Sequence, residues 1–329
     1  MPTPTIGSYP TPVVPIAGLS EPSSALWVKR DDLTHHVYGG NKVRKLEGLL
    51  AEATALKAKR LVTLGSVGSH HVLATAYFGR QLGLEVEAVL VPQPRTAHVV
   101  SVLRASLGQG LKAIPVRSWA GAPAAVLARV ARGAHYLPLG GSNAVGTQGY
   151  VDAGRELASQ VGEGLLPEPE VCVVALGSGG TAAGLSVGFA EAGLRTRVVG
   201  VCVSSPAWAL RALAGHLARA CAPRALSERP RLSADEKYLG RGYGYSTPEG
   251  DEATALAQLH AGLALDPTYT AKAFACALSH VRSGRSGTVV YWHTLSSAPL
   301  APLLASELAP AEEDLPRELL ALVISPNER

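Results

Sequence analysis

Between residues 60 and 140 the chain alternates short β-branched runs with helix-length stretches, and between 171 and 293 it does so again. Arg60–Leu64, Val86–Val91, Leu111–Val116 and His135–Leu139 read as strands, separated by helical patterns over His70–Leu82, Ala97–Leu107 and Gly121–Arg132. The second set has strands Val171–Leu176, Arg197–Val203 and Thr288–His293, with helices Thr181–Ala192 and Ala207–Ala218. Strand–helix alternation with short Gly- or Pro-bearing connections builds βαβ units, whose strands lie parallel in a helix-covered sheet. The pattern predicts an α/β chain of two such units, and 329 residues suffice for two domains. Gln160 to Glu170 is the most hinge-like stretch, after a helix over Thr147–Leu157.

Composition narrows the function classes. Charged residues are 17% and apolar residues 47%, which provides a large core and excludes a disordered chain. The net charge of +4 is too small, and too evenly spread, for a nucleic-acid surface. Cys172, Cys202, Cys221 and Cys276 form no C-x-x-C pair and no zinc spacing, so small buried thiols are the expectation. The first twenty residues are proline-rich and lack a basic segment, unlike a signal peptide. Val171–Ala190 is uncharged and about as long as a membrane span, but Gly177-Ser178-Gly179-Gly180 interrupts it. A cytoplasmic protein without membrane or nucleic-acid partners is expected. His35, His36 and His71 read as loop or structural imidazoles, and no metal site is expected, because sequence neighbours point in different directions.

Two segments carry chemistry. The strand ending at Leu176 runs into Gly177-Ser178-Gly179-Gly180-Thr181 and then a helical pattern. Such a loop exposes backbone N–H groups at the positive end of a helix, and Ser178 and Thr181 add hydroxyls, so a phosphate is the natural guest. A dinucleotide would need an acidic residue at the end of the next strand; Val201-Cys202-Val203-Ser204-Ser205 has none. A nicotinamide cofactor is therefore disfavoured and a monophosphate fits better. Earlier, Gly39-Gly40-Asn41-Lys42-Val43-Arg44-Lys45 opens an amphipathic helix with Lys42 and Lys45 on roughly one side. One amine could bond covalently to an aldehyde while the other neutralises its phosphate.

Lys29-Arg30-Asp31-Asp32-Leu33-Thr34, followed by Gly39-Gly40-Asn41-Lys42-x-Arg44-Lys45-Leu46-Glu47 and the Gly-Ser-Gly-Gly-Thr loop, resembles the 1-aminocyclopropane-1-carboxylate deaminase/D-cysteine desulfhydrase family. These are pyridoxal-phosphate enzymes of the tryptophan-synthase-β-like fold group (fold type II), and the resemblance runs from about Pro12 to Pro299. It implies a two-domain α/β/α fold, with residues 1–50 and 151–329 as a large cofactor domain and 51–150 as a small one. It also implies that Lys42 holds the cofactor covalently and that Lys45, Gly177, Ser178, Gly179, Gly180 and Thr181 hold its phosphate. Ser69 would touch substrate, and His70 stands where the family has an Asn that bonds the cofactor's phenolic oxygen. Tyr243, in Gly242-Tyr243-Gly244-Tyr245, and Tyr269, in Asp266-Pro267-Thr268-Tyr269-Thr270, match active-site tyrosines. Thr270 and Thr294 compete for the ring nitrogen.

Thr270 follows the tyrosine where the deaminases have Glu, which leans toward desulfhydrase-type β-elimination of D-cysteine to pyruvate, ammonia and sulfide. Cyclopropane-ring opening is the alternative. His70, and Leu295-Ser296 in place of the family's two glycines, also leave room for another amino-acid substrate or for cofactor binding alone. The family's habit implies a homodimer.

Overall fold

The computed structural model describes residues 6–204, 206–223, 226 and 228–325. The chain divides into two compact units: Thr5–Lys45 with Ser142–Ala298, the larger, and Leu46–Gly141 with Pro299–Arg329, the smaller. These boundaries differ from the expected 50 and 150, and residues 299–329 fall in the smaller unit. The reason is local pairing near the C-terminus, where Val323 and Ile324 add in parallel to Gln93 and Pro94. Gln160–Glu170 is no hinge; it joins a helix to a strand inside the larger unit.

In chain order the larger unit opens with β1 (Val13–Pro15) and β2 (Ala25–Arg30), and the division falls inside α1 (Asn41–Ala55). The smaller unit then contributes β3 (Arg60–Ser66), α2 (His70–Gln81), β4 (Glu85–Val91), β5 (Gln93–Pro94), α3 (Ala97–Gly108), β6 (Lys112–Pro115), α4 (Ala122–Val130) and β7 (His135–Tyr136). The larger unit resumes with α5 (Ala144–Gly162), β8 (Val171–Leu176), α6 (Gly180–Glu191), β9 (Arg197–Cys202), α7 (Ala207–Cys221) and β10 (Leu232–Asp235). It closes with α8 (Pro248–Ala261), α9 (Thr270–Arg282) and β11 (Thr288–His293), and β12 (Val323–Ile324) belongs to the smaller unit.

The larger sheet has the order β1-β2-β11-β8-β9-β10, with only β1 antiparallel to its neighbour. Its central strand β8 is apolar throughout because both of its faces are covered. Cys172, Val174 and Leu176 pack with Tyr150, Leu185 and Phe189 from α5 and α6. Val171 and Val173, alternating with them, pack with Phe274, Ala277 and Leu278 from α9. That is the three-layer α/β/α arrangement of fold type II. The smaller unit repeats the logic with a parallel sheet ordered β6-β4-β3-β7. No helix among the described residues is long and apolar enough to cross a membrane.

Parallel strands all finish at one edge, where their following loops gather. In the larger sheet β2, β11 and β8 are neighbours, so the loops that follow them meet. They carry Gly39–Lys42, Thr294–Ser296 and Gly177–Gly180, three segments far apart in sequence.

Candidate active site

The turn before Lys42 is shaped by close backbone approach. Gly40 has φ +92°, and a Cβ there would lie 2.5 Å from the Thr294 carbonyl oxygen. Asn41 N–H donates to that same oxygen at 3.0 Å, and Gly39 N–H donates to Ser296 Oγ at 2.9 Å. Ser296 therefore pegs the lysine turn, a role that two glycines could not fill. Lys42 opens α1, and its amine makes no hydrogen bond among the described residues. Burial lowers its pKa to about 8, against the opposing pull of Asp266.

Three residues on, Lys45 is buried and its ammonium donates to Ser142 Oγ at 3.0 Å. Burial, then the charge of Lys42, pushes its pKa well below the ordinary lysine value. Ser142 Oγ also meets Ser178 Oγ at 2.7 Å and accepts from Gly180 N–H at 3.3 Å. Asn41 Nδ2 donates to Thr181 Oγ1 at 3.2 Å. The Thr147 hydroxyl is buried and unpartnered among the described residues. A Cβ on Gly180 would lie 2.7 Å from Ser142 Oγ, 3.0 Å from Thr147 Oγ1 and 3.1 Å from Lys45 Nζ. Hydroxyls, a helix N-terminus and a buried ammonium thus converge where only a glycine leaves space. An anion placed there would supply the acceptor for the orphaned hydroxyl and the countercharge for Lys45, so a phosphate monoester fits the residues present.

The third element is the start of α9. Asp266 Oδ1 accepts from the backbone N–H groups of Thr268 and Tyr269, and its Oδ2 accepts from Thr270 N–H and, at 2.7 Å, from Thr270 Oγ1. The Thr270 hydroxyl proton is therefore committed, and the same oxygen accepts from Asp266 N–H. Thr294 differs: its hydroxyl has no hydrogen-bond partner among the described residues. Tyr269 Oη donates to Tyr243 Oη at 3.0 Å with the rings edge to face. Burial, followed by Tyr243 and Asp266, raises the Tyr269 pKa well above the ordinary phenol value. The Tyr269 ring lies against Gly177, where a Cβ would come within 3.2 Å of it.

The larger unit thus brings together Lys42, Lys45, Gly177, Ser178, Gly179, Gly180, Thr181, Tyr243, Tyr269, Thr270 and Thr294. Ser69 and His70 are placed in the smaller unit. There Ser69 Oγ accepts from Val72 N–H as the cap of α2, and His70 Nε2 lies 2.8 Å from His98 Nε2. The sequence reading passed over Ser142, Thr147 and Asp266. Asp266 had a usable signal, a carboxylate four residues before a helix-opening Thr. Ser142 and Thr147 flank the cap Asn143 of α5, and only the fold brings them to the glycine loop.

A model of the family described as pyridoxal-phosphate-dependent enzymes matches residues 5–294. The chain is 33% identical over 294 residues to a Pyrococcus furiosus protein provisionally named a 1-aminocyclopropane-1-carboxylate deaminase, covering 87% of this chain and 89% of that one. It is 35% identical over 303 residues to the nocardicin C-9' epimerase of Nocardia uniformis subsp. tsuyamanensis, covering 88% and 90%. The crystal structure of an ACC deaminase homologue superimposes with a TM-score of 0.77 at 29% identity, covering 91% of this chain and 95% of that one.

Proposed function

The chain belongs to the pyridoxal-phosphate-dependent enzymes, in the group of the 1-aminocyclopropane-1-carboxylate deaminases and their homologues, and from that premise we propose that it removes the α-proton of a small amino acid and expels a β-substituent. D-Cysteine is the substrate we assign first: with one water it gives pyruvate, ammonia and hydrogen sulfide. Ring opening of 1-aminocyclopropane-1-carboxylate is the alternative within the class. The observation that carries the reading is the unbonded Lys42 amine at a depressed pKa, in one unit with the Tyr269–Tyr243 hydroxyl pair.

Bound pyridoxal phosphate supplies an electron sink that acidifies the proton on the substrate's Cα. The phosphate would be held by Lys45, Ser178, Thr181 and the backbone of Gly179 and Gly180, with Ser142 and Thr147 completing the cradle. Thr294, whose hydroxyl proton is uncommitted, can donate to the ring nitrogen; Thr270, whose proton is given to Asp266, instead fixes Tyr269. A hydroxyl in that place, rather than a carboxylate, would suit elimination over transamination. Lys42 would hold the cofactor, and its Nζ would serve as the base for the Cα proton, a role its lowered pKa suits. Tyr243, whose oxygen accepts from Tyr269, would deliver a proton to the departing group, and Tyr269, kept protonated by burial, would resupply it through that bond.

A second reading is epimerisation, favoured by the epimerase relative at 35% identity. The same proton removal is followed by return of a proton to the opposite face, with no leaving group. Incubation of the enzyme with D-cysteine in heavy water tests both. Sulfide and pyruvate, lost in Lys42→Ala, support elimination; a four-carbon 2-oxo acid from 1-aminocyclopropane-1-carboxylate supports the alternative. Deuterium at Cα without ammonia release would sink elimination and select epimerisation.

A further inference from the structure

The larger unit has a cavity of about 850 Å³ at the sheet edge where β8 and β9 begin, the edge opposite the one from which the Gly177–Gly180 loop departs. Its floor includes the buried side chains of Val171, Tyr238 and Cys276. Five cations line it: Arg195, Arg197, Arg231, Lys237 and Arg285. Only three acids, Glu168, Glu170 and Asp235, oppose them there. The acids are partly engaged elsewhere: Glu168 accepts from Arg195 N–H at 2.6 Å, and Asp235 takes the Cys276 thiol at 3.6 Å and Lys237 N–H at 2.8 Å. Arg195 and Arg231 share Glu228, at 3.6 and 3.8 Å. Arg197, Lys237 and Arg285 make no ion pair among the described residues. A concave site of this size with an apolar floor and a few convergent charges is a small-molecule site rather than an ion's.

We propose that this cavity is a second ligand site, distinct from the catalytic centre, for a small organic anion bearing two or more negative charges. Its charged groups meet Arg197 and Arg285, the unpaired guanidiniums whose planar forks suit phosphate and carboxylate oxygens, and its body lies on Tyr238 and Val171. The location gives the site a mechanical link to the chemistry. Cys276, Ser279 and His280, in the C-terminal half of α9, line the cavity, and the first turn of that helix carries Thr270 beside Tyr269. β8 likewise begins at the cavity and ends at the phosphate loop.

The test is calorimetric titration of the pyridoxal-phosphate-loaded enzyme at low salt with ADP, citrate and pyrophosphate. Loading fills the other anion site. Saturable 1:1 binding of ADP or citrate is expected, about tenfold weaker in Arg197→Ala and in Arg285→Ala. Arg197→Lys is expected to recover part of the affinity, and Arg155→Ala, an exposed arginine elsewhere, to change nothing. ADP as the tighter ligand identifies a phosphate ester, and citrate a polycarboxylate. The proposal is overturned if none of the three binds, if pyrophosphate alone binds, or if both alanine variants bind as the parent does. The loaded enzyme's visible band, unchanged in the variants, shows that a lost titration is not lost folding.

Discussion

Arg44 and Lys45 are neighbours in the first turns of α1, and each gathers a buried polar cluster, but the two clusters close in opposite ways. Arg44 binds Asp31 through two nitrogens, at 2.8 and 3.0 Å, and reaches both oxygens of Glu156. Asp31 accepts further bonds from Thr11, Tyr150 and Trp292, and Lys29 binds Glu156, Gln160 and the Thr11 carbonyl. Two cations face two carboxylates, and nearly every polar atom is used. Burial alone would raise the Asp31 pKa; Arg44, Trp292 and Tyr150 outweigh it and hold it below the usual carboxylate value. Beside Lys45 lie the Ser142 and Ser178 hydroxyls and the Gly180 N–H, and the Thr147 hydroxyl has no hydrogen-bond partner among the described residues. The first cluster is complete without a ligand, the second is not. Satisfied burial marks architecture; a buried hydroxyl left without a partner beside a buried lysine and a helix N-terminus marks a binding site.

The largest effect expected from this contrast is in the closed cluster. Asp31→Asn keeps the shape but leaves Arg44 and Lys29 to share Glu156, one buried positive charge in excess, so the unloaded protein should lose about 3–5 kcal/mol in urea unfolding. A loss below about 1 kcal/mol would show that water or rearrangement closes that cluster too. Lys45→Met makes the complementary change. Removing a buried ammonium should leave the unloaded protein as stable or more stable, while cofactor affinity falls at least about tenfold, read by fluorescence titration with pyridoxal phosphate. If Lys45→Met destabilises the unloaded protein as Asp31→Asn does, the distinction between the clusters fails.

A smaller change sharpens the comparison at one atom. Thr147→Val is nearly isosteric and removes only the orphaned hydroxyl. It should weaken cofactor binding by about 0.5–1.5 kcal/mol, the net worth of one hydrogen bond, without lowering unloaded stability. An unchanged affinity would mean that Thr147 does not face the phosphate.

How far these clusters were legible in the sequence follows from their make-up. The lysine turn and the glycine loop stand out because chemistry and local conformation coincide there: Gly40 and Gly179 both need positive φ, and each sits beside a helix start. The alternation of strands and helices gave most of the architecture for the same local reason. β2 was hidden because Lys29 and Arg30 break its apolar run, and only the fold shows Lys29 buried against Glu156 from α5. Lys45 finds Ser142 97 positions away and Arg44 finds Glu156 112 positions away. Such pairings leave no periodic trace in one sequence. The departure at Leu295-Ser296 was visible in the sequence, but only the fold shows that the Ser296 hydroxyl holds the turn before Lys42.

The finest test separates the clusters by pH. Asp31 and Glu156 have folded pKa values below their ordinary ones, so their stabilisation is full above the ordinary carboxylate range and is lost as pH falls through the folded values. Lys42, at about 8, and Lys45 also have lowered values, but as bases. Above the folded value and up to the ordinary 10.5, the unfolded chain binds more protons than the folded one, so stability rises with pH across that window. Buried thiols such as Cys172 and Cys276, with raised values, act in the opposite sense at alkaline pH. Comparing variant with parent, both unloaded, cancels them. Lys45→Met should therefore flatten the alkaline rise by on the order of 1 kcal/mol and leave the acid limb intact. Asp31→Asn should flatten the acid limb and leave the alkaline rise. Urea midpoints from pH 4 to 9.5 would show this double dissociation. A variant that moves both limbs together would mean that the two clusters titrate as one, despite the difference in how each is closed.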